Sequence, residues 1–251
     1  MKNIFITGAS SFLGENLLLN LKDHNIFALE KKTKINPAEN IKIIKSLPED
    51  LNLFFNEFDI NYVIHLATKS SRNYEKEEVE NMVETNILLG FKILNASLNS
   101  PIKKVISAGT YSQDVIPRPI NIYTLSKQYF EDIQKYFSKN YQLENTSIHF
   151  GDIYGPNDNR NKLIPYLKNN ENQKEIEFES DGKGYLSPVF VNDATESIVY
   201  ELSKKNNPLF SVKTVASDLM SVEDFVYRYK EERNKGFEVI FKGKVKPKYE
   251  E

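Results

Sequence analysis

Tyr123 and Lys127 stand four residues apart in the run YTLSK. On a helix that spacing puts a phenol and an ammonium on one face. A lysine cation beside a tyrosine favours the phenolate, so the phenol gives up its proton more readily. Such a tyrosine can protonate a carbonyl that is being reduced, and can act as a base in the reverse direction. The spacing alone is weak, because the chain has 14 tyrosines and Tyr200 with Lys204 repeats it. Position separates the two pairs. Tyr123 opens a helical pattern over 121–140 that follows a strand pattern at 103–107, whereas Tyr200 falls late, on a surface helix. Ligands of open parallel sheets bind outside the carboxyl ends of the strands. A hydroxyl should share the carbonyl with Tyr123, and the strand exit SAGTYSQ offers three candidates. Thr110 is the first choice, with Ser107 and Ser112 in reserve.

A second feature supplies the other half of such a reaction. TGASSFLG, residues 7–14, joins a short apolar run to a leucine-rich one. A helix opening there would aim free N–H groups and its positive end at a pyrophosphate. Gly8 permits the sharp turn and Gly14 permits close packing of helix on strand. Ser11 stands where a middle glycine is usual. It must alter the approach of the phosphates or donate its hydroxyl to them. Glu30 ends the next strand, where an acidic residue binds ribose hydroxyls and disfavours a 2′-phosphate. Lys31 and Lys32 follow at once and suit a 2′-phosphate, so the residues leave NAD and NADP open.

The elements that must position these groups alternate in kind. Strand patterns cover 2–7, 25–30, 41–45, 61–67, 103–107 and 145–150. Helical spacing of Leu13, Leu17, Leu18 and Leu21, and of the segments 79–99 and 121–140, falls between them. Residues 48–58 are partly helical. This alternation predicts an α/β fold, a doubly wound parallel sheet with helices on both faces. Beyond Pro156 the pattern breaks, and 157–185 reads as polar and irregular. A strand at 188–191 and a helix capped by Asp193 follow. The expected organisation is a dinucleotide-binding domain from 1–156 plus about 186–214, with a small C-terminal substrate-binding lobe from 157–185 plus about 215–251.

Bulk properties narrow the class. With a formal net charge of −2, nucleic acid is not an expected partner. The chain has no cysteine, which removes disulfide and thiolate chemistry and suits a reducing cytoplasm. It starts without a charged-then-apolar leader and contains no apolar stretch of a membrane span's length. Its three histidines, His24, His65 and His149, lack the spacing of metal ligands, and no metal is expected. His65 and His149 lie in apolar strands and read as satisfied core histidines. EKEEVE at 75–80 reads as an acidic helix start.

In order and approximate spacing, TGASSFLG, VIHLAT, ETNILLG, SAGTYSQ, YTLSK and GDIYGPNDNRNKLI resemble the extended short-chain dehydrogenase/reductase family. That family is also called the NAD-dependent epimerase/dehydratase family. The resemblance spans roughly residues 2 to 195. It is strongest to the nucleotide-sugar 4-ketoreductase branch, which holds CDP-abequose synthase-type and dTDP-fucose-type enzymes. It implies a Rossmann fold, an NAD(P) cofactor, a nucleotide-sugar substrate and a homodimer formed by the two long helices. By the same resemblance, Gly8, Ser10, Ser11, Phe12, Leu13 and Gly14 line the pyrophosphate, and Glu30 and Lys31 meet the adenosine ribose. Ser46 and Leu47 lie near adenine, Leu66, Ala67 and Thr68 face the cofactor, and Asn86 supports the active-site helix. Thr110, Tyr123 and Lys127 are the implied triad, and Ile153 holds the nicotinamide amide through its backbone. Asp152, Arg160 and Lys162 face the substrate, the two cations at its diphosphate. Thr110 is followed by Tyr111 and Ser112, without the Asp-Glu pair of the family's 4,6-dehydratases. Reduction of a 4-keto sugar is therefore the first reading, 4-epimerisation the second, and a non-catalytic NAD(P)-binding scaffold the third.

Overall fold

A computed structural model describes residues 1–30, 35, 38–71, 75–115, 121–205 and 208–243. In chain order the first elements are β1 (Asn3–Thr7), α1 (Phe12–Leu19), β2 (Asn25–Leu29), β3 (Ile41–Ile44), α2 (Leu51–Glu57) and β4 (Tyr62–His65). Then come α3 (Lys76–Val83), a π-helical turn (Glu84–Leu88), α4 (Leu89–Ser97), β5 (Lys104–Thr110), α5 (Ser112–Val115), α6 (Ile122–Tyr141) and β6 (Glu144–Phe150). The remainder is β7 (Asp152–Tyr154), α7 (Leu163–Asn170), β8 (Glu175–Phe178), β9 (Tyr185–Leu186) and β10 (Pro188–Phe190). It ends with α8 (Val191–Ser203), β11 (Phe210–Val215), β12 (Met220–Ser221), α9 (Val222–Glu232) and β13 (Glu238–Phe241).

These elements form two compact units, residues 1–150 with 191–215, and residues 151–190 with 216–251. The first is a seven-stranded sheet in the order β11-β6-β5-β4-β1-β2-β3. Every pairing in it is parallel. The near-continuous apolar runs IFIT, IFAL and YVIH suit strands covered on both faces. Phe5, Phe55, Ile60, Val63, Ile93 and Val105 are buried in one core on the side of α2, α4 and α6. The chain leaves β1 toward β2 and β3 on one side, then crosses back to β4, β5 and β6 on the other. The order reverses between β1 and β4, and a crevice opens at their carboxyl ends.

The second unit pairs β7 with β10 and β8 with β13 in parallel, and β9 with β12 antiparallel. Its core joins Leu167, Ile176, Phe178, Val226, Tyr229 and Phe237. Residues 157–185, irregular by sequence pattern, contain α7 and β8 because Leu167, Ile176 and Phe178 bury against α9 rather than against their own neighbours. The sequence also places Asp193 as a helix cap. The helix instead begins at Val191, so Asp193 sits in its first turn, where its charge still favours the helix dipole. Among the described residues no helix is long and apolar enough to cross a membrane.

Candidate active site

The turn after β1 is built around contacts that exclude side chains. Gly8 has φ +74°, and a Cβ there would lie 2.6 Å from the Ala67 nitrogen and the Leu66 carbonyl carbon. Its bare backbone therefore lets the turn lie against the end of β4. A Cβ on Gly14 would run into the carbonyl oxygens of Gly8 and Ala9. Ser11 is different. It is the N-cap of α1 at φ −78°, ψ 162°, a conformation open to any residue, and its side chain is solvent-facing. Its Oγ accepts from the Gly14 N–H at 3.0 Å. A cap was needed here and a glycine was not, which explains the missing middle glycine. Ser10 and Phe12 are half-buried and Leu13 is buried beneath the turn. Ser11→Ala is expected to cost about 1 kcal/mol of stability and Ser11→Gly only a few tenths. Urea melts of the two variants check this, with cofactor affinity in Ser11→Gly staying within a few-fold.

At the end of β2, Glu30 accepts from Lys45 Nζ at 2.6 Å and from the Ile35 N–H at 2.9 Å. Glu30, Ser46 and Leu47 line one cavity of about 360 Å³ together with Leu29, Thr85 and Leu88. Three residues assigned to the adenosine end are thus brought together. Lys31 and Lys32 lie outside the described residues.

Thr7 and His65 tie β1 to β4. Thr7 Oγ1 lies 2.7 Å from His65 Nδ1 and accepts from the Ala67 N–H at 3.3 Å. Burial, with help from the Lys127 charge, lowers the His65 pKa to about 3. It is a neutral core histidine, as its apolar strand suggested. Beyond it, the exposed Thr68 donates to Asn86 Oδ1 at 3.2 Å, which also accepts from the Lys69 N–H at 2.8 Å. Asn86 Nδ2 donates to the Lys69 carbonyl and to Ser126 Oγ, each at 2.9 Å. Asn86 sits in the π-helical turn, and π-turns recur at functional sites. It bolts the loop after β4 to α6 between Tyr123 and Lys127.

α6 starts at its cap, Asn121, whose side chain accepts from the Thr124 N–H. Tyr123 is half-buried in the first turn, and Ser126 donates to its carbonyl at 2.7 Å. Lys127 is buried and donates to the Ala108 carbonyl at 2.8 Å. Burial brings its pKa down to about 8. Thr110 closes β5, half-buried, with Oγ1 accepting from the Ser112 N–H at 3.4 Å. Ser107 is buried and donates to Gln134 Oε1 at 2.9 Å, so its hydroxyl is spent inside the core. The pair at Tyr200 and Lys204 lies elsewhere. Tyr200 is exposed, and the neighbouring Glu201 bonds Lys104 at the first residue of β5, the amino end of the strand, away from the carboxyl ends.

In the second unit, Asp152 Oδ2 accepts from the Ser187 N–H at 3.0 Å. The Arg160 guanidinium grips Asp158 at 2.7 and 2.8 Å and the Ile153 carbonyl at 2.6 Å. Arg160 thus clamps its own loop, bonding the backbone of Ile153, the residue assigned to the nicotinamide amide. Lys162 is exposed at the start of α7. Sequence reading missed the cations that do line a cavity. A space of about 490 Å³ is bounded by Lys168, Arg228 and Arg233 together with Tyr154, Phe225 and Tyr229. It also did not single out Gln113 or Glu131, and it read His149 only as a core histidine. One signal for these was present, since Tyr123, Lys127 and Glu131 run down α6 at four-residue spacing.

The model of the NAD dependent epimerase/dehydratase family matches residues 4–212. CDP-abequose synthase of Salmonella typhimurium is 23% identical over 237 residues, which cover 89% of this chain and 78% of that protein. The structure of UDP-glucose 4-epimerase from Thermotoga maritima with UDP-glucose superposes with TM-score 0.83 at 21% identity, over 98% of this chain and 87% of the other. UDP-glucuronic acid 4-epimerase from Bacillus cereus, solved with UDP-glucuronic acid and NAD, gives TM-score 0.81 at 19% identity, over 95% and 85%.

Proposed function

The chain belongs to the NAD dependent epimerase/dehydratase family, and from that premise we propose that it reduces the 4-keto group of a nucleotide-linked hexose. The observation that carries the reading is the stripe of Tyr123 and buried Lys127 on α6, with Thr110 closing the adjacent strand. No acidic pair follows Thr110 to serve an elimination. The turn at Gly8–Gly14 suits a dinucleotide, because the two bare glycines let the turn and the start of α1 pack directly on the backbone of Leu66, Ala67 and Ala9 beside the strand ends. Backbone N–H groups opening α1 would take the pyrophosphate, and Glu30, Ser46 and Leu47 the adenosine. We take the cofactor as NAD(H), in keeping with the family and with the carboxylate of Glu30, which disfavours a 2′-phosphate. When bound, its nicotinamide supplies the hydride.

The residues of this chain supply the rest. Tyr123 gives its phenolic proton to the carbonyl oxygen as that oxygen gains charge. The Lys127 ammonium, held by the Ala108 carbonyl, stabilises the tyrosinate left behind. Thr110 donates to the same oxygen and orients the sugar. The first unit serves as the dinucleotide-binding domain and the second as the substrate lobe. There Lys168, Arg228 and Arg233 suit a diphosphate and the aromatic walls suit a base. The exposed Leu88, Phe91, Tyr129 and Tyr136 on α4, α6 and the turn before α4 support a homodimer through those helices.

The test is incubation with NADH or NADPH and 4-keto-6-deoxy sugars carrying CDP, dTDP, UDP or GDP. NMR should show one of them converted to a C4 alcohol, with NADH preferred. Four-epimerisation uses the same groups, and the epimerase structures above favour it as the second reading. Tight co-purification of NAD and interconversion of 4-epimers, with no net NADH use, would replace the first reading with the second.

A further inference from the structure

Outside the stripe just described, the first unit buries a charged cluster that the reaction does not use. His149, on β6, is buried with both ring nitrogens against carboxylates. Nδ1 lies 2.7 Å from Asp114 Oδ1 and Nε2 lies 2.5 Å from Glu131 Oε2. A carboxylate only accepts, so both nitrogens must carry protons for both contacts to be attractive. The other carboxylate oxygens are also served, Asp114 Oδ2 by the Thr214 hydroxyl and Glu131 Oε1 by Lys135. His149 and Lys135 are the cations set against these carboxylates, with Lys135 also reaching Asp132 at 3.4 Å on the exposed side.

This cluster is joined to the Thr110 turn at three points. Gly109 faces His149 in the β5–β6 register, and a Cβ there would strike the imidazole. Gln113 Oε1 accepts from the Thr110 N–H at 2.9 Å, while its Nε2 donates to Glu131 Oε2 at 3.3 Å. Asp114, the next residue, is the one His149 holds directly. Glu131 lies one turn beyond Lys127 on α6. We propose that His149, as an imidazolium between Asp114 and Glu131, is a positioning residue that locks the Thr110 turn onto the helix carrying Tyr123 and Lys127. Its catalytic consequence rests on the reductase reading above, but the lock itself does not.

The groups facing His149 are Glu131 and Lys135 on α6, Asp114 and Gln113 on α5, Thr214 on β11 and the Gly109 backbone. Burial opposes the charge on His149, yet the bonds to Glu131 and Asp114 prevail and raise its pKa above the ordinary value. Glu131 moves the opposite way. Burial raises its pKa, but His149 and Lys135 bring it down to about 2. A histidine with a raised folded pKa stabilises fully below its unfolded value and loses that contribution as pH rises through the folded value. The lock therefore loosens on the alkaline side. A neutral ring would turn a lone pair toward one carboxylate and release either Asp114 or Glu131.

The experiment combines ring NMR of the intact protein with amide exchange and kinetics. At pH 7 both ring nitrogens of His149 should be protonated, the imidazole titrating above its ordinary value, and exchange at residues 109–114 should quicken as that proton leaves. His149→Gln should raise exchange there at least ten-fold. It should also lower kcat at least ten-fold at pH 7, with KM for cofactor and sugar within about three-fold. His149→Arg, which keeps a permanent cation, should restore exchange protection and most of kcat. A neutral His149 at pH 7, or wild-type exchange at Thr110 in His149→Gln, overturns the lock. An altered turn with unchanged kcat overturns its catalytic role. If no keto sugar is turned over by the wild-type protein, the reductase reading fails while ring protonation and exchange still decide the lock.

Discussion

Replacing Tyr123 with phenylalanine is expected to lower kcat by about 10²- to 10⁴-fold, the range for removal of a positioned proton donor. Cofactor affinity should stay within a few-fold, because the β1 turn, Glu30 and Asn86 are untouched. The phenol is half-buried in the first turn of α6. Phenylalanine fills the same space, so loss of turnover without loss of the fold isolates the proton. The reaction should also depend on pH through Lys127. Its pKa is brought down to about 8 by burial, so the ammonium is present at pH 7 and is lost as pH rises through about 8. Reductive kcat in the wild-type protein should fall over that interval. Turnover in Tyr123→Phe equal to wild type would remove Tyr123 from the reaction and the triad with it.

Much of the site's framework was visible in the sequence because its parts are local. A strand followed by Gly8 and Gly14, an apolar strand ending at Leu66–Thr68, and a helix carrying Tyr123 and Lys127 each lie within one short segment. Periodicity places such segments, and a parallel alternation fixes their order around the crevice. Ser11 shows where local reading was incomplete. Spacing marked it as a departure, but only its backbone conformation and its bond to Gly14 show that a cap replaced a glycine. Arg160 shows what charge alone leaves out. Its charge suited a diphosphate, yet Asp158 two residues away holds its fork, and charge counting does not reveal a local partner. The cluster around His149 was hidden for another reason. Its members come from α5, α6, β6 and β11, brought together only by the sheet order. The π-helical turn holding Asn86 leaves no periodic signature of its own, since one inserted residue merely blurs a helical pattern that continues on both sides.

Gly8→Ala should lower stability by about 2–5 kcal/mol and weaken cofactor binding at least ten-fold. Two costs combine. At φ +74° an L side chain sits in the left-handed region, which costs about 1–2 kcal/mol. The added methyl would also lie 2.6 Å from the backbone of Leu66 and Ala67. Those atoms belong to the chain leaving β4, so relief requires the β1 and β4 ends to part, an overpacking cost of about 1–3 kcal/mol. The same movement would carry the turn away from the crevice and draw Ala67 from Thr7, whose hydroxyl accepts its N–H. Gly14→Ala separates the two costs. Gly14 lies in α1 with ordinary helical backbone, so its methyl pays only for the clash with the Gly8 and Ala9 carbonyls. Urea denaturation should therefore place both Gly8→Ala and Gly14→Ala below wild type, and calorimetric titration with NADH should show weaker binding in both. A Gly8→Ala protein with wild-type stability and affinity would show that the turn does not rest on β4, and the dinucleotide site proposed at that crevice would have to be moved.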